Sequence, residues 1–229
     1  DDYAVQFDFK FLQPDEHNAY YFYLRLRTTN CPPTVQAVDD YVALITPDVV
    51  EFRDESCEAQ RQELVAENDR NIEAVGWHTA QVIAIGNRLR LFVDGQQYID
   101  YTDVESPHLK GGVEIFTENA VDLAIDNFRV NEIIPGEAAA TATATAAPTA
   151  QPATEITPGL ACAPGETQLF SDDFNDGNAA GWYFQDERGN PTDAWPVEMD
   201  GANYVLAGQG HNWAIMSGIS SARSRNGGM

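Results

Sequence analysis

The stretch from Trp77 to Val130 constrains this chain most. It reads WHTAQVIAIGNRLRLFVDGQQYIDYT, then a polar loop, then GGVEIFTENAVDLAIDNFRV. Apolar and polar residues alternate through Gln81–Ile85, Leu89–Val93 and Val121–Ile125, the period of half-buried strands. Gly86-Asn87 breaks the first run, and Asp94-Gly95 supplies the positive φ angles of a tight hairpin turn. Gly111 and Gly112 precede a further strand, Val113–Phe116. The pattern is an antiparallel meander with no recognisable catalytic motif inside it.

The order of these motifs (Trp then strand, a hairpin with VDG, GG-V-E-I-F, then IDNFRV) resembles the concanavalin A-like lectin/glucanase superfamily. Within it the pattern is most similar to the laminin G-like domains and to the 3-keto-disaccharide hydrolase-type domain of bacterial secreted proteins. The likeness is firm over Trp77–Val130 and looser before it. It implies an all-β fold, an antiparallel two-sheet jelly-roll sandwich. Its motifs mark turns and core positions, so function has to come from a site.

Charge narrows the partners. Thirteen Lys and Arg stand against 36 Asp and Glu, a net charge of −23, with a pI near 4.2. Such a surface repels phosphate backbones and anionic membranes, which argues against nucleic acid as a partner. No apolar run approaches the length of a membrane span. Hydrophobic residues make up 43% of the chain, enough for a real core. The chain begins at Asp1, which reads as a processed or truncated start. Of three cysteines, Cys31 and Cys57 bracket an irregular region, and a bridge between them would restrain about 26 residues. Cys162 has no obvious partner; three free thiols are the rival reading.

Taken in order, Tyr3–Leu12 alternates, with Tyr3, Val5, Phe7, Phe9 and Phe11 on one face and Gln6, Asp8 and Lys10 on the other. Tyr20–Arg27 places Tyr20, Phe22, Leu24 and Leu26 on one side and Tyr21, Tyr23, Arg25 and Arg27 on the other. Tyr41–Ile45 and Val49–Arg53 read as a strand pair. The polar stretch Asp54–Glu73 reads as a loop, with a helical turn near Glu58–Ala66. The first sandwich therefore spans 1–135 and lacks its opening strands. Residues 136–161 form an Ala/Thr/Pro-rich linker of the kind found in secreted modular proteins. Residues 162–216, with DDF, W-P-V-E-M-D-G and a Tyr/Leu strand, resemble the opening strands of a second, similar domain. Residues 217–229 continue neither pattern and read as a disordered tail. Each piece alone leaves strand edges unpaired. An intramolecular association, with 162–216 supplying the strands that 1–135 lacks, is the expectation that follows.

Two constellations carry chemistry. Asp8, Lys10, Tyr21, Tyr23, Arg25 and Arg27 are expected to form one polar, aromatic patch on neighbouring strands. Rings stack on the apolar faces of sugars while Arg and Asp bond hydroxyls, so this is the candidate carbohydrate site; a solvated outer face is the plain alternative. The resemblance also implies one structural calcium ion, held by Asp126 of IDNFRV and Asp173 of the DDF opening, since carboxylate oxygens suit a hard cation. The tryptophans Trp77, Trp182, Trp195 and Trp213 read as core or sheet-edge residues. His17, His78, His108 and His211 are scattered without ligand spacing.

No catalytic residue is nominated. The laminarinase-like branch of the superfamily carries E-x-D-x-x-E on one strand, and nothing here matches it; retaining chemistry needs carboxyl groups about 5 Å apart. The expectation is a non-catalytic carbohydrate-binding or adhesion module of a larger secreted or surface-anchored bacterial protein. Its partner would be a glycan or cell-surface polysaccharide. The alternatives are a glycoside hydrolase-like domain acting on disaccharides, and a structural spacer.

Overall fold

The computed structural model describes residues 2–12, 21–30, 38–57, 61–69, 71–73, 75–117, 123–133, 166–186, 190–208 and 212–216. All regular structure among them is β. The strands are β1 (Tyr3–Phe11), β2 (Phe22–Asn30), β3 (Val38–Ile45), β4 (Val50–Ser56), β5 (Arg61–Asn68), β6 (His78–Ile85), β7 (Arg88–Val93) and β8 (Gln96–Thr102). They continue with β9 (Gly112–Thr117), β10 (Leu123–Ile133), β11 (Glu166–Asp172), β12 (Trp182–Asp186), β13 (Val197–Asp200), β14 (Asn203–Gly208) and β15 (Asn212–Met216).

These strands build two antiparallel sheets. The first has the order β13-β14-β10-β1-β6-β7-β8, with β11 also paired to β10. The second runs β12-β15-β9-β2-β3-β4-β5. The hairpin at Asp94-Gly95 has the expected geometry, with φ of 51° and 74°, and Gly86 opens the β6–β7 turn at φ 54°.

The core forms because the apolar faces of β1 and β2 turn towards each other. Phe7, Phe9 and Phe11 come from one sheet, Phe22, Leu24 and Leu26 from the other, and all six are buried. Phe9 meets Phe22 at 5.1 Å between ring centroids and Phe7 stacks on Phe128 at 5.5 Å. Each such ring removed from water contributes about 2–3 kcal/mol before entropic costs.

The C-terminal strands lie in the same two sheets as the N-terminal ones. β11 and β14 pair with opposite ends of β10, and β15 pairs with β9. Trp182 of β12 packs on Phe128 of β10 at 5.1 Å, edge to face.

One expectation fails. The polar region Asp54–Glu73 is not a loop with a helical turn: β4 runs on to Ser56, and Arg61–Asn68 forms β5, paired with β4. The stretch RQELVAEN satisfies helix composition as well as strand composition. Pairing along β4 decides the outcome, because cross-strand contacts outweigh weak intrinsic preference.

Candidate functional site

β1 and β2 belong to different sheets, so the six residues expected to share one patch are divided among three places. Asp8 and Lys10 lie on the outer face of the first sheet, half-buried. Asp8 accepts hydrogen bonds from Thr79 Oγ1 at 2.6 Å and Asn127 Nδ2 at 2.9 Å. Lys10 pairs with Asp200 at 2.9 Å. Tyr21, Tyr23 and Arg25 lie on the outer face of the second sheet. Arg27 is on neither.

Arg27 turns inward at a bulge. The β2 register shifts after Leu26 against both β3 and β9, and Arg27 takes φ 57°. The side chain is wholly buried. Its Nη1 donates to the carbonyls of Gly86 and His108 at 2.5 and 2.8 Å, and Asp2 lies 3.6 Å from Nη2. The Tyr3 hydroxyl accepts the Arg27 backbone N–H at 2.9 Å. Burial of that phenol pushes its ionisation far up, so it stays a neutral hydroxyl. Strand alternation alone cannot reveal such a bulge.

The outer face of the second sheet is aromatic along one row. Register aligns Gln185, Trp213, Phe116, Tyr23, Leu44, Glu51 and Glu67 across β12, β15, β9, β2, β3, β4 and β5. Trp213 stacks on Phe116 at 4.1 Å, and Phe116 on Tyr23 at 5.7 Å. Tyr21 meets Tyr23 edge to face at 5.5 Å. The row from Trp213 to Glu51 crosses four strand spacings, about 19 Å at ~4.8 Å each.

The neighbouring row is charged. Arg25 lies opposite Glu114 of β9 and Val42 of β3. Its Nη1 donates to Asp40 at 2.8 Å and to Glu55 at 2.6 Å, while its guanidinium sits 4.9 Å from the Trp213 ring centre. Asp40, Val42, Leu44, Glu114, Phe116 and Ile215 point away from the other sheet yet are as buried as core residues. β3 and β9 are thus covered on both faces. Burial, reinforced by Glu55 and Glu114, pushes Asp40 up to about 7 against the pull of Arg25.

Sequence reading missed Asp40, Glu55, Glu114, Phe116 and Trp213. Glu114 sits within β9. Trp213 faces outward in NWAIM, where Ala214 faces the core. The alternation in that pentapeptide was the available signal; the convergence on Arg25 comes from four separated strands and had none.

Asp126 is buried. Its Oδ1 accepts from the Asn127 N–H at 2.7 Å and its Oδ2 from Asn203 Nδ2 at 2.5 Å. Burial first, then the charges of Asp8 and Asp173, raise it to about 6. Asp173, exposed, accepts the Asn175 N–H at 3.2 Å. Among the described residues no three carboxylate, imidazole or thiol groups converge as metal ligands would. Cys57 is in disulfide form, and the expected partner, Cys31, lies outside the described residues, as do Cys162, His17 and His211.

No family model and no curated protein sequence matches the chain. Solved structures do show partial likeness. A carbohydrate-binding module, CBM66 of Bacillus subtilis, is 18% identical over 46% of this chain and 62% of its own, with a TM-score of 0.38. The CBM40 module of a Ruminococcus gnavus IT-sialidase, bound to α2,3-sialyllactose, is 13% identical over 46% of this chain and 55% of its own, with a TM-score of 0.36. Sheep galectin-11 is 15% identical over 47% of this chain and 74% of its own, with a TM-score of 0.35. The chain thus spans less than two thirds of the CBM66 and CBM40 modules, and more of galectin-11. Among the described residues no helix is long and apolar enough to cross a membrane.

Proposed function

We propose that the outer face of the second sheet binds glycan, and that the chain is a non-catalytic carbohydrate-binding module of a secreted or surface protein. The observation that carries this reading is the Trp213–Phe116–Tyr23 row with Arg25 set against it. Trp213 and Tyr23, the part-exposed rings on either side of buried Phe116, offer the aromatic surface, and the adjoining charged row offers hydrogen bonds to hydroxyls. Both halves of the chain contribute to this row, which favours one cooperative sandwich over two independent domains. A Cys31–Cys57 bridge would suit an oxidising, extracellular setting.

Hydrolysis is the competing reading, because Asp40, Glu55 and Glu114 gather around Arg25. That arrangement favours binding. Arg25 bonds Asp40 and Glu55 together, and Asp40 is wholly buried, so neither is set as a proton donor at an accessible bond.

The calcium expected at Asp126 and Asp173 remains a proposal. The donors fit a hard cation in kind, since Asp126 and Asp173 supply carboxylate oxygens, and among the described residues no third such group converges with them. Both Asp126 oxygens already accept N–H bonds, so Asn203 would have to turn away for a cation to bind.

A glycan array probed with the whole chain tests the binding reading. Retention of specific glycans, lost in Tyr23→Ala with the fold intact by circular dichroism, is the expected result. A folded chain that binds nothing on the array would leave a spacer role instead.

A further inference from the structure

The ion pair beneath the proposed glycan face is incompletely satisfied. Asp40 of β3 is wholly buried, and its Oδ2 accepts from Arg25 Nη1 at 2.8 Å and from Thr28 Oγ1 at 3.3 Å. Its Oδ1 meets no donor among the described residues. On the other side of the same pair, buried Arg25 Nε meets no acceptor among them. Arg25 Nη1 is also shared, because it donates to Glu55 at 2.6 Å. A buried carboxylate with one idle oxygen and only a share of one guanidinium nitrogen is a costly anion. A proton removes that cost.

The surrounding charges act in the same direction. Glu55 on β4 and Glu114 on β9 add like charge around Asp40, and Arg25 on β2 is the cation that opposes them. Arg53 of β4 bonds Glu51, at 2.8 Å from Nε and 2.7 Å from Nη2. His108, in the loop after β8, and Tyr3, on β1, both feel the charge of Asp40. β15 contributes Trp213, whose ring centre lies 4.9 Å from the Arg25 guanidinium. The Asp40 carboxyl therefore sits beneath the one cation that touches both the acidic cluster and an aromatic ring of the face.

We propose that a proton held by Asp40 gates the glycan face through Arg25. Solvent supplies the proton, which bonds to the Asp40 carboxylate, and no other covalent bond changes. With Asp40 neutral, Arg25 is released from one of its two carboxylates, and its donors turn to the hydroxyls of a sugar lying beside Trp213. With Asp40 charged, the guanidinium is drawn back into the sheet. The face thus binds glycan more tightly on the acid side of neutrality. This inference rests on the glycan-binding reading of the same face.

The test follows the full chain through pH by two readouts. The first needs no ligand: the indole N–H resonance of Trp213, assigned by its loss in Trp213→Phe. It should shift with a midpoint at about 7, where burial and its neighbours place Asp40. The shift should be absent from Asp40→Asn and kept in His108→Gln. Glu55→Gln, which removes one like charge and leaves Nη1 to Asp40, should move the midpoint down. The second readout is calorimetry with uncharged cello-, laminari- and galacto-oligosaccharides, expected to bind about fivefold tighter at about pH 5.5 than at about pH 8. In Asp40→Asn the two affinities should be equal. A Trp213 resonance that ignores pH, or that titrates unchanged in Asp40→Asn or Glu55→Gln, overturns the gate. Equal wild-type binding at the two pH values overturns it while the glycan reading stands. No binding of any probe by a folded chain overturns the glycan reading, and the gate with it.

Discussion

Trp213 of β15 stacks on Phe116 of β9 at 4.1 Å, so a residue from the C-terminal segment completes an aromatic row begun by the N-terminal one. Removing the indole takes away the outermost platform and the ring against which Arg25 rests. Trp213→Ala is therefore expected to weaken glycan binding about tenfold, near 1.4 kcal/mol. Because Trp213 is half-buried on an outer face, the fold should survive. Calorimetry beside near-ultraviolet circular dichroism checks both points. Full-strength binding by the variant would remove Trp213 from the site.

A second prediction concerns pH. His78 donates from both ring nitrogens, to Asp94 at 2.7 Å and to the Glu73 carbonyl at 2.6 Å, an arrangement that only the imidazolium satisfies. The Asp94 hydrogen bond chiefly holds its pKa above the usual value, and Asp54 does the same for His108 against the opposing effect of burial. A raised histidine contributes stability that is complete below its unfolded pKa and lost as pH climbs through the folded one. Asp40, raised to about 7, and Asp126, raised to about 6, act in the same direction, since each favours its protonated form when folded. Asp94 and Asp103 are lowered and oppose this only under more acid conditions. The melting temperature should thus be higher near about pH 5 than near about pH 8. His78→Gln should flatten part of that slope; a profile rising towards alkaline pH would refute the assignment.

The strands were legible because one face of each packs on the core. Phe7-Phe9-Phe11 and Phe22-Leu24-Leu26 announce themselves by alternation, and Asp94-Gly95 by turn chemistry. The sheet to which each strand belongs was not legible. Alternation gives a face without saying which neighbour the strand pairs with, so Asp8 and Lys10 were grouped with Tyr21, Tyr23 and Arg25 from the opposite sheet. β5 was missed because its pairing is a tertiary fact. Arg27 was misplaced by a single bulge, which reverses the side a residue faces.

Calcium offers a third prediction. Asp126 sits near the like charges of Asp8 and Asp173, and a divalent ion would offset that repulsion. Added calcium should raise the melting temperature, and a chelator should reverse the rise. Asp126→Asn should abolish the response at little cost to the chelated protein, since the new amide can keep its oxygen on the Asn127 N–H and donate to Asn203 Oδ1 once the Asn203 amide turns over. A calcium response that persists in Asp126→Asn would move the ion elsewhere.

The β2 bulge depends on Gly111, and that gives the sharpest stability test. Gly111 has φ 140°, and a Cβ there would lie 2.2 Å from the Arg27 carbonyl carbon, 2.3 Å from its oxygen and 2.6 Å from the Thr28 oxygen. All three are backbone atoms of the bulge, so relief requires the chain itself to move. Once it moves, Arg27 loses the geometry that lets one guanidinium bond both the Gly86 and His108 carbonyls. A buried guanidinium deprived of its acceptors is costly, and backbone strain adds to that cost. Gly111→Ala is expected to destabilise by about 3 kcal/mol or more, read from urea unfolding at constant m-value. The glycan face lies on the other side of β2, so binding by the still-folded fraction should change little. If Gly111→Ala unfolds at the wild-type midpoint, β9 can shift away from β2 without penalty, and Arg27 is not held inward by this contact.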